Sequence, residues 1–174
     1  ISPADSSLTV SAATFGIAVA VIPWSAVSDR IGRRRAMVVA IVAATVIALA
    51  TTFAPTFGIL VVLRFLEGCA LGGIPAVAMA YIAEEVHPGH TVMAAASFIS
   101  GNSLGGLSGR IVAGPVAELF GWRGGVLGVT IMAVVATVVF IVVAPRQRRF
   151  APKPVKLRDL SARVLGTLRD PRLL

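Results

Sequence analysis

From Leu8 to Ser28 the chain runs for 21 residues without a charged side chain, and stretches of the same kind recur as far as Pro145. A helix needs about 20 apolar residues to cross the hydrocarbon core of a bilayer. Inside lipid every backbone N–H and C=O must be satisfied within the structure, so runs of this length and composition read as spanning helices. Composition agrees, with 56% of residues hydrophobic and 14% charged, against about 25% charged in soluble domains. So few charges cannot build a solvated surface, which excludes a soluble globular enzyme. Disorder is excluded as well, because disordered chains are poor in apolar residues. One cysteine, Cys69, leaves no disulfide within the chain and no cysteine-based metal cluster.

The interruptions divide the chain. Thr51-Thr52-Phe53-Ala54-Pro55 is a turn, because the residue before proline disfavours helix and the threonines are polar. Glu84-Glu85-Val86-His87-Pro88-Gly89-His90 is a polar break, and Phe120-Gly121-Trp122-Arg123 a short turn. Five spans result, at about 8–28, 36–50, 56–82, 91–119 and 124–145. The fold class is all-α: residues 1–145 form a polytopic membrane helix bundle, and residues 146–174 a basic loop. A net charge of +8 suggests nucleic acid in a soluble protein. Here seven of the sixteen Lys and Arg precede Pro145 and nine follow it. Such clustering reads as topology. Arg30, Arg33, Arg34 and Arg35 between the first two spans, and the tail, mark the cytoplasmic side. Residue 1 then lies outside. With Ile1 in place of an initiator Met, the expectation is a chain cut from something longer.

In the tail, Leu157, Leu160, Val164 and Leu168 recur at helical spacing, with Lys156, Arg158, Arg163 and Arg169 off that line. This predicts a basic amphipathic helix at about 155–168. It suits either an anionic cytoplasmic leaflet or the ends of neighbouring spans.

The most specific local feature is Ser25-Ala26-Val27-Ser28-Asp29-Arg30-Ile31-Gly32-Arg33-Arg34-Arg35. It joins two spans by a very short turn, for which Gly32 supplies a positive φ. Asp29 sits among four arginines at a membrane edge and is expected to be ionised and paired. The stretch resembles the loop signature of the major facilitator superfamily at Asp29, Arg30, Gly32, Arg33 and Arg34, with Ser25 in place of the leading glycine. Leu60 to Ala70 resembles the family's fourth-span signature, with Arg64 matched and Glu67 standing for glutamine. The fifth span is similar to the Gly-rich antiporter signature at Gly109, Ala113 and Gly114, with Arg110 replacing its proline. Gly121-Trp122-Arg123 matches the turn that follows.

The resemblance covers the whole chain as second to sixth spans plus the central loop. It implies the N-terminal half of a twelve-span transporter, closest in look to bacterial drug or sugar efflux permeases. It also implies that Asp29, Arg30, Gly32, Arg33 and Arg34 gate the cytoplasmic side, with Glu84 or Glu85 as partners of Arg33 or Arg34.

Charges inside a membrane are costly and usually functional. Arg64 and Glu67 are three residues apart and share a helix face. Arg110 lies at about the same depth in the next span, so Arg64, Glu67 and Arg110 are expected to form one cluster on a central cavity. Asn102, in the same span as Arg110, is a further candidate. Two arginines against one glutamate favour an anionic substrate, with Glu67 as the protonatable group. The alternative is a structural pairing of Glu67 with one arginine while the other snorkels. Gly68 and Gly72, and Gly101, Gly105, Gly109 and Gly114, are expected to pack helices closely. His87 and His90 carry no metal role. No metal site, cofactor or catalytic set is recognisable, and no nucleic-acid partner is expected.

The functional expectation is a multi-pass transporter of the plasma membrane (a bacterial inner membrane), exporting small molecules by alternating access in exchange for protons. Its partner would be a missing C-terminal half or a second copy. The rival is a non-transporting assembly or sensor subunit that keeps the bundle.

Overall fold

The first two helices are separated by a single residue. Helix α1 runs Pro3–Ile31 and α2 runs Arg33–Thr52. Between them Gly32 adopts φ 96°, a conformation side chains resist, so the chain reverses there without a loop. The computed structural model describes residues 3–145 and 147. Helix α3 is Phe57–Leu71, α4 is Gly73–Glu85, and a 3₁₀ turn at Pro88–His90 leads into α5, Thr91–Val143. Among the described residues there is no strand. The amphipathic tail helix expected at about 155–168 lies outside them.

Four helical stretches are long and apolar enough to cross a membrane, the third being α3 and α4 together. The fourth doubles back. Gly121 breaks α5 with φ 74° and ψ 174°. A Cβ on Gly125 would touch Ala117, and one on Gly128 would touch Val112 and Val116, so residues 122–143 return alongside residues 91–120.

The helices outrun the apolar stretches at both ends. Thr51 and Thr52 belong to the last turn of α2, not to the connection after it. Their hydroxyls bond back to the carbonyls of Ile47 and Ala48, at 2.8 and 3.5 Å, which lets polar side chains sit buried at a helix end. Thr56 caps α3 by accepting from the Ile59 N–H.

What is buried is small. The core gathers Ala36, Met37, Val77 and Ala78, with Trp24, Tyr81, Phe98 and Phe140 packed around it. Leucines, valines and phenylalanines face outward instead, among them Val10, Phe15, Val62 and Ile111. This inversion of the soluble pattern is how spanning helices pack, since lipid is as apolar as leucine and only close approach is rewarded. Helix α1 lies directly on α3. A Cβ on Gly68 would meet the Ala13 backbone, and one on Gly16 would stand 2.9 Å from the Cys69 nitrogen. Helix α2 is the most enclosed, with 39% of its apolar window buried against 11% for the α5 stretch.

Helix α2 and the second arm of α5 are joined by polar contacts at three levels. Arg123 Nη2 donates to the carbonyl of Ala54, two residues past the end of α2, at 3.0 Å. Thr45 and Thr137 share a hydroxyl bond at 3.0 Å midway. Arg34 closes the far end.

Candidate functional site

Two polar clusters stand out in this apolar frame. The first lies at the end of the bundle carrying the α1–α2 reversal. Arg33 reaches back across the Gly32 reversal to Asp29 of α1 (2.6 Å) and across to Glu84 of α4 (2.9 Å). It also donates to Ser28 Oγ, which is fully buried. One guanidinium thus ties α1, α2 and α4 together. Arg34 turns the other way: its Nε donates to the Ala144 carbonyl at 3.1 Å and its Nη2 to that of Ile141 at 2.8 Å. These belong to the last turn of α5, whose carbonyls have no helical partner and carry the negative end of the helix dipole. Tyr81 Oη donates to the Pro145 carbonyl at 3.1 Å, and Gln147 reaches Glu84 at 3.5 Å. The chain leaving the bundle is therefore fastened to α2 and α4.

Glu84 and Arg33 meet as the loop motif implied. Arg30 sits in the last turn of α1. Gly32 supplies the reversal. Ser28, Tyr81 and the carbonyl partners of Arg34 were not legible in the sequence. Backbone acceptors carry no residue signature, and a tyrosine near a helix end is unremarkable until the neighbouring helix is in place.

The second cluster lies within the bundle. Arg64 Nη1 donates to Glu67 Oε2 at 3.0 Å, one turn along α3. The Glu67 side chain is only 13% exposed. Its carboxylate sits between two clefts. The larger, about 730 Å³, is walled by α1, α2, α3, α4 and both arms of α5; Glu67, Asn102, Thr45 and Thr137 are polar groups on an otherwise largely apolar lining. The smaller, about 260 Å³, is lined by Arg64 and Glu67 together with Ala113, Ala117 and Trp122.

Arg110 does not join this pair, which corrects the expectation of a three-residue cluster. Its side chain is exposed, it lines neither cleft, and among the described residues no ion pair reaches it. By helical spacing Arg110 shares a stripe with Ala113 and Ala117, but it is those two alanines, nearer the Gly121 reversal, that line the cleft with Arg64 and Glu67. Arg110 lies a turn further along, where the arm is exposed. The glycines divide likewise. Gly68 and Gly72 are pressed against α1, but Gly101, Gly105, Gly109 and Gly114 have nothing within 4 Å of a built Cβ. The first arm of α5 lies at the edge of the bundle, so its small-residue face meets no neighbour here. Among the described residues no group of His, Cys, Asp and Glu could hold a metal.

The family model of the Major Facilitator Superfamily matches residues 1–174. Over 173 residues the chain is 37% identical to the uncharacterized MFS-type transporter YybF of Bacillus subtilis, covering 99% of this chain and 43% of that protein. Over 160 residues it is 32% identical to the inner membrane transport protein YnfM of Escherichia coli, covering 92% and 38%. A more distant relative, 28% identical over 120 residues and covering 68% and 17%, is the MFS antiporter QDR3 of Candida albicans. The chain spans less than half the length of the relatives it matches.

Proposed function

The chain belongs to the Major Facilitator Superfamily, and from that premise we propose that it forms part of a secondary active transporter. It exports small molecules in exchange for protons by alternating access, in which two bundles rock about a site near the midplane. The remaining length of the transporter, or a second copy, supplies the opposing bundle.

The observation that carries the reading is the Asp29–Arg33–Glu84 network. It closes three helices onto one another at a single end of the bundle through two ion pairs. Such pairs at a solvated edge can be broken and remade at modest cost, as a gate requires. The arginine-rich reversal faces the cytoplasm under the positive-inside bias. Arg64 and Glu67 are the charged groups of the transport path. As built they stand one acid to one base, so the preference for anionic substrates loses its support. Export by exchange is supported by the name of the Candida relative, an antiporter; the proton as the exchanged ion rests on Glu67 as the protonatable group. Placement in a bacterial inner membrane is supported by the name of the E. coli relative. No catalytic step is assigned to the chain.

The test is flux. The full-length protein is reconstituted in liposomes loaded with a pH-sensitive dye and challenged with a panel of amphipathic cations, carboxylates and sugars. At least one class should drive proton movement above that of empty liposomes. Correctly inserted protein that moves no protons with any of them contradicts the proposal.

A further inference from the structure

The third spanning stretch is interrupted at Gly72, which keeps helical dihedrals (φ −57°, ψ −23°) and its bond to the Gly68 carbonyl at 2.9 Å, and the interruption is occupied by a side chain from another helix. Helix α3 ends at Leu71 and α4 begins at Gly73. Pro75 stands one turn beyond Leu71, brings no N–H to its carbonyl and crowds it with its ring. Carbonyls on the near side of such a break lose their helical partners and need others. One is that of Cys69. It accepts the indole N–H of Trp24, from α1, at 2.8 Å. The ring seats on the break itself: a Cβ at Gly73 would lie 2.5 Å from Trp24 Cδ2 and 2.7 Å from its Cγ, so glycine alone admits it. In a continuous α-helix the Cys69 carbonyl would accept the Gly73 N–H. A carbonyl oxygen can accept twice, so it is the ring seated against Gly73, together with the indole bond, that opposes closing the interruption.

The break lies between the two polar clusters. Glu67 is four residues before Leu71, and Leu71, Ile74 and Pro75 line the larger cleft with it. On the other side α4 carries Tyr81 and Glu84. Glu84 lies eleven residues past Gly73, about 16 Å along the axis at about 1.5 Å per residue. A rotation of about 10° at the break sweeps a point at that distance through about 3 Å. That parts Glu84 from Arg33, which it now meets at 2.9 Å.

We propose that Gly72 to Pro75 is a hinge and that Trp24 is its latch, holding α4 at the angle where Glu84 engages Arg33. A ligand in the larger cleft touches the hinge residues directly. The indole bond thus connects occupancy of the cleft to the state of the charged end. The purpose of the hinge rests on the transporter reading; its geometry does not. Trp24 is a positioning residue, acting on Glu84 through the angle of α4.

The experiment uses the full-length protein in lipid nanodiscs, in a cysteine-free background. That background includes Cys69→Ala, which leaves the backbone carbonyl in place. Spin labels at Val27 on α1 and Ala83 on α4, both exposed, report the angle of α4 as a distance distribution. Trp24→Phe keeps an aromatic ring and loses the N–H. It should shift the distribution by roughly 3 Å or add a second population displaced by that amount. Pro75→Ala leaves Trp24 untouched, returns an N–H to the Leu71 carbonyl and should shift the distribution similarly. It reads the hinge should Trp24→Phe fail to fold. Distributions that superimpose on wild type for the folded variants overturn the proposal. Proton flux is read separately. Shifted distances in the variants with no flux by wild type keep the hinge and remove the transporter reading, while flux by wild type with unmoved distances in the variants does the reverse.

Discussion

Replacing Glu67 with glutamine separates the two arrangements open to the charges inside the bundle. The structure pairs Glu67 with Arg64 at 3.0 Å and leaves Arg110 exposed and apart. Removing one partner of a fully buried ion pair costs about 3–5 kcal/mol, because the other charge is stranded. Arg64 is 31% exposed and has a long stem, so it can snorkel toward water. Glutamine also keeps an acceptor for its guanidinium. Exposed pairs contribute about 0–1 kcal/mol, and the present pair falls between the limits, at about 1–2 kcal/mol. The assay is a double-mutant cycle on unfolding free energy in the full-length protein, with Arg64→Gln and Arg110→Gln each combined with Glu67→Gln. Coupling of Arg64 to Glu67 should exceed about 1 kcal/mol, and that of Arg110 to Glu67 should stay under about 0.5 kcal/mol, the usual bound for independent sites. Coupling of Arg110 to Glu67 as large as that of Arg64 refutes the reasoning. So does an Arg64–Glu67 coupling below that bound.

Three other outcomes follow from the packing. Gly68→Ala should destabilise by several kcal/mol or block folding, since its Cβ meets Ala13 backbone with no side chain to yield, while Gly105→Ala should change stability by about 0.5 kcal/mol or less; equal losses by thermal unfolding would contradict the placement of both glycines. Arg34→Gln should cost about 1–3 kcal/mol by uncapping the carbonyls of Ile141 and Ala144, and should raise amide exchange selectively at the end of α5; unchanged exchange there would show the cap to be idle. A cysteine at exposed Phe53 should react with an impermeant reagent from outside and one at Gly89 only from inside; the opposite pattern reverses the orientation.

How far the sequence could be read depended on which physical quantity each feature carries. Apolar length is additive along the chain, so the helical stretches were visible as composition. Gly32 was visible because a reversal between two apolar runs needs a positive φ, and it adopts one; the turn at Phe120–Arg123 was visible too, and its positive φ falls on Gly121. Asp29 stood among four arginines, so that it would be paired was visible, but which arginine meets it across the Gly32 reversal was not. Glu84, with Glu85 as its alternative, followed from the resemblance of the loop motif. Thr51 and Thr52 misled because polarity suggested a turn, whereas their hydroxyls satisfy themselves on the carbonyls behind them. Arg110 misled because counting residues does not fix where along the first arm of α5 the contact with α3 falls: Ala113 and Ala117, one and two turns on, line the cleft with Arg64 and Glu67. Trp24 was hidden for another reason. Its partner is a backbone carbonyl that becomes available only once α3 and α4 part company.

The central claim is that the Asp29–Arg33–Glu84 network works as a gate rather than as a fold determinant. The direct measurement is proton-coupled flux by the Asp29→Asn protein, reconstituted at matched density and orientation with wild type. Asparagine keeps the shape of the side chain and removes the charge that Arg33 holds at 2.6 Å. A pair at a solvated edge contributes up to about 1 kcal/mol, which corresponds to about fivefold in a rate. Insertion should match wild type, unfolding free energy should fall by no more than about 1 kcal/mol, and flux should fall about fivefold. Wild-type flux from well-inserted Asp29→Asn protein would contradict the account.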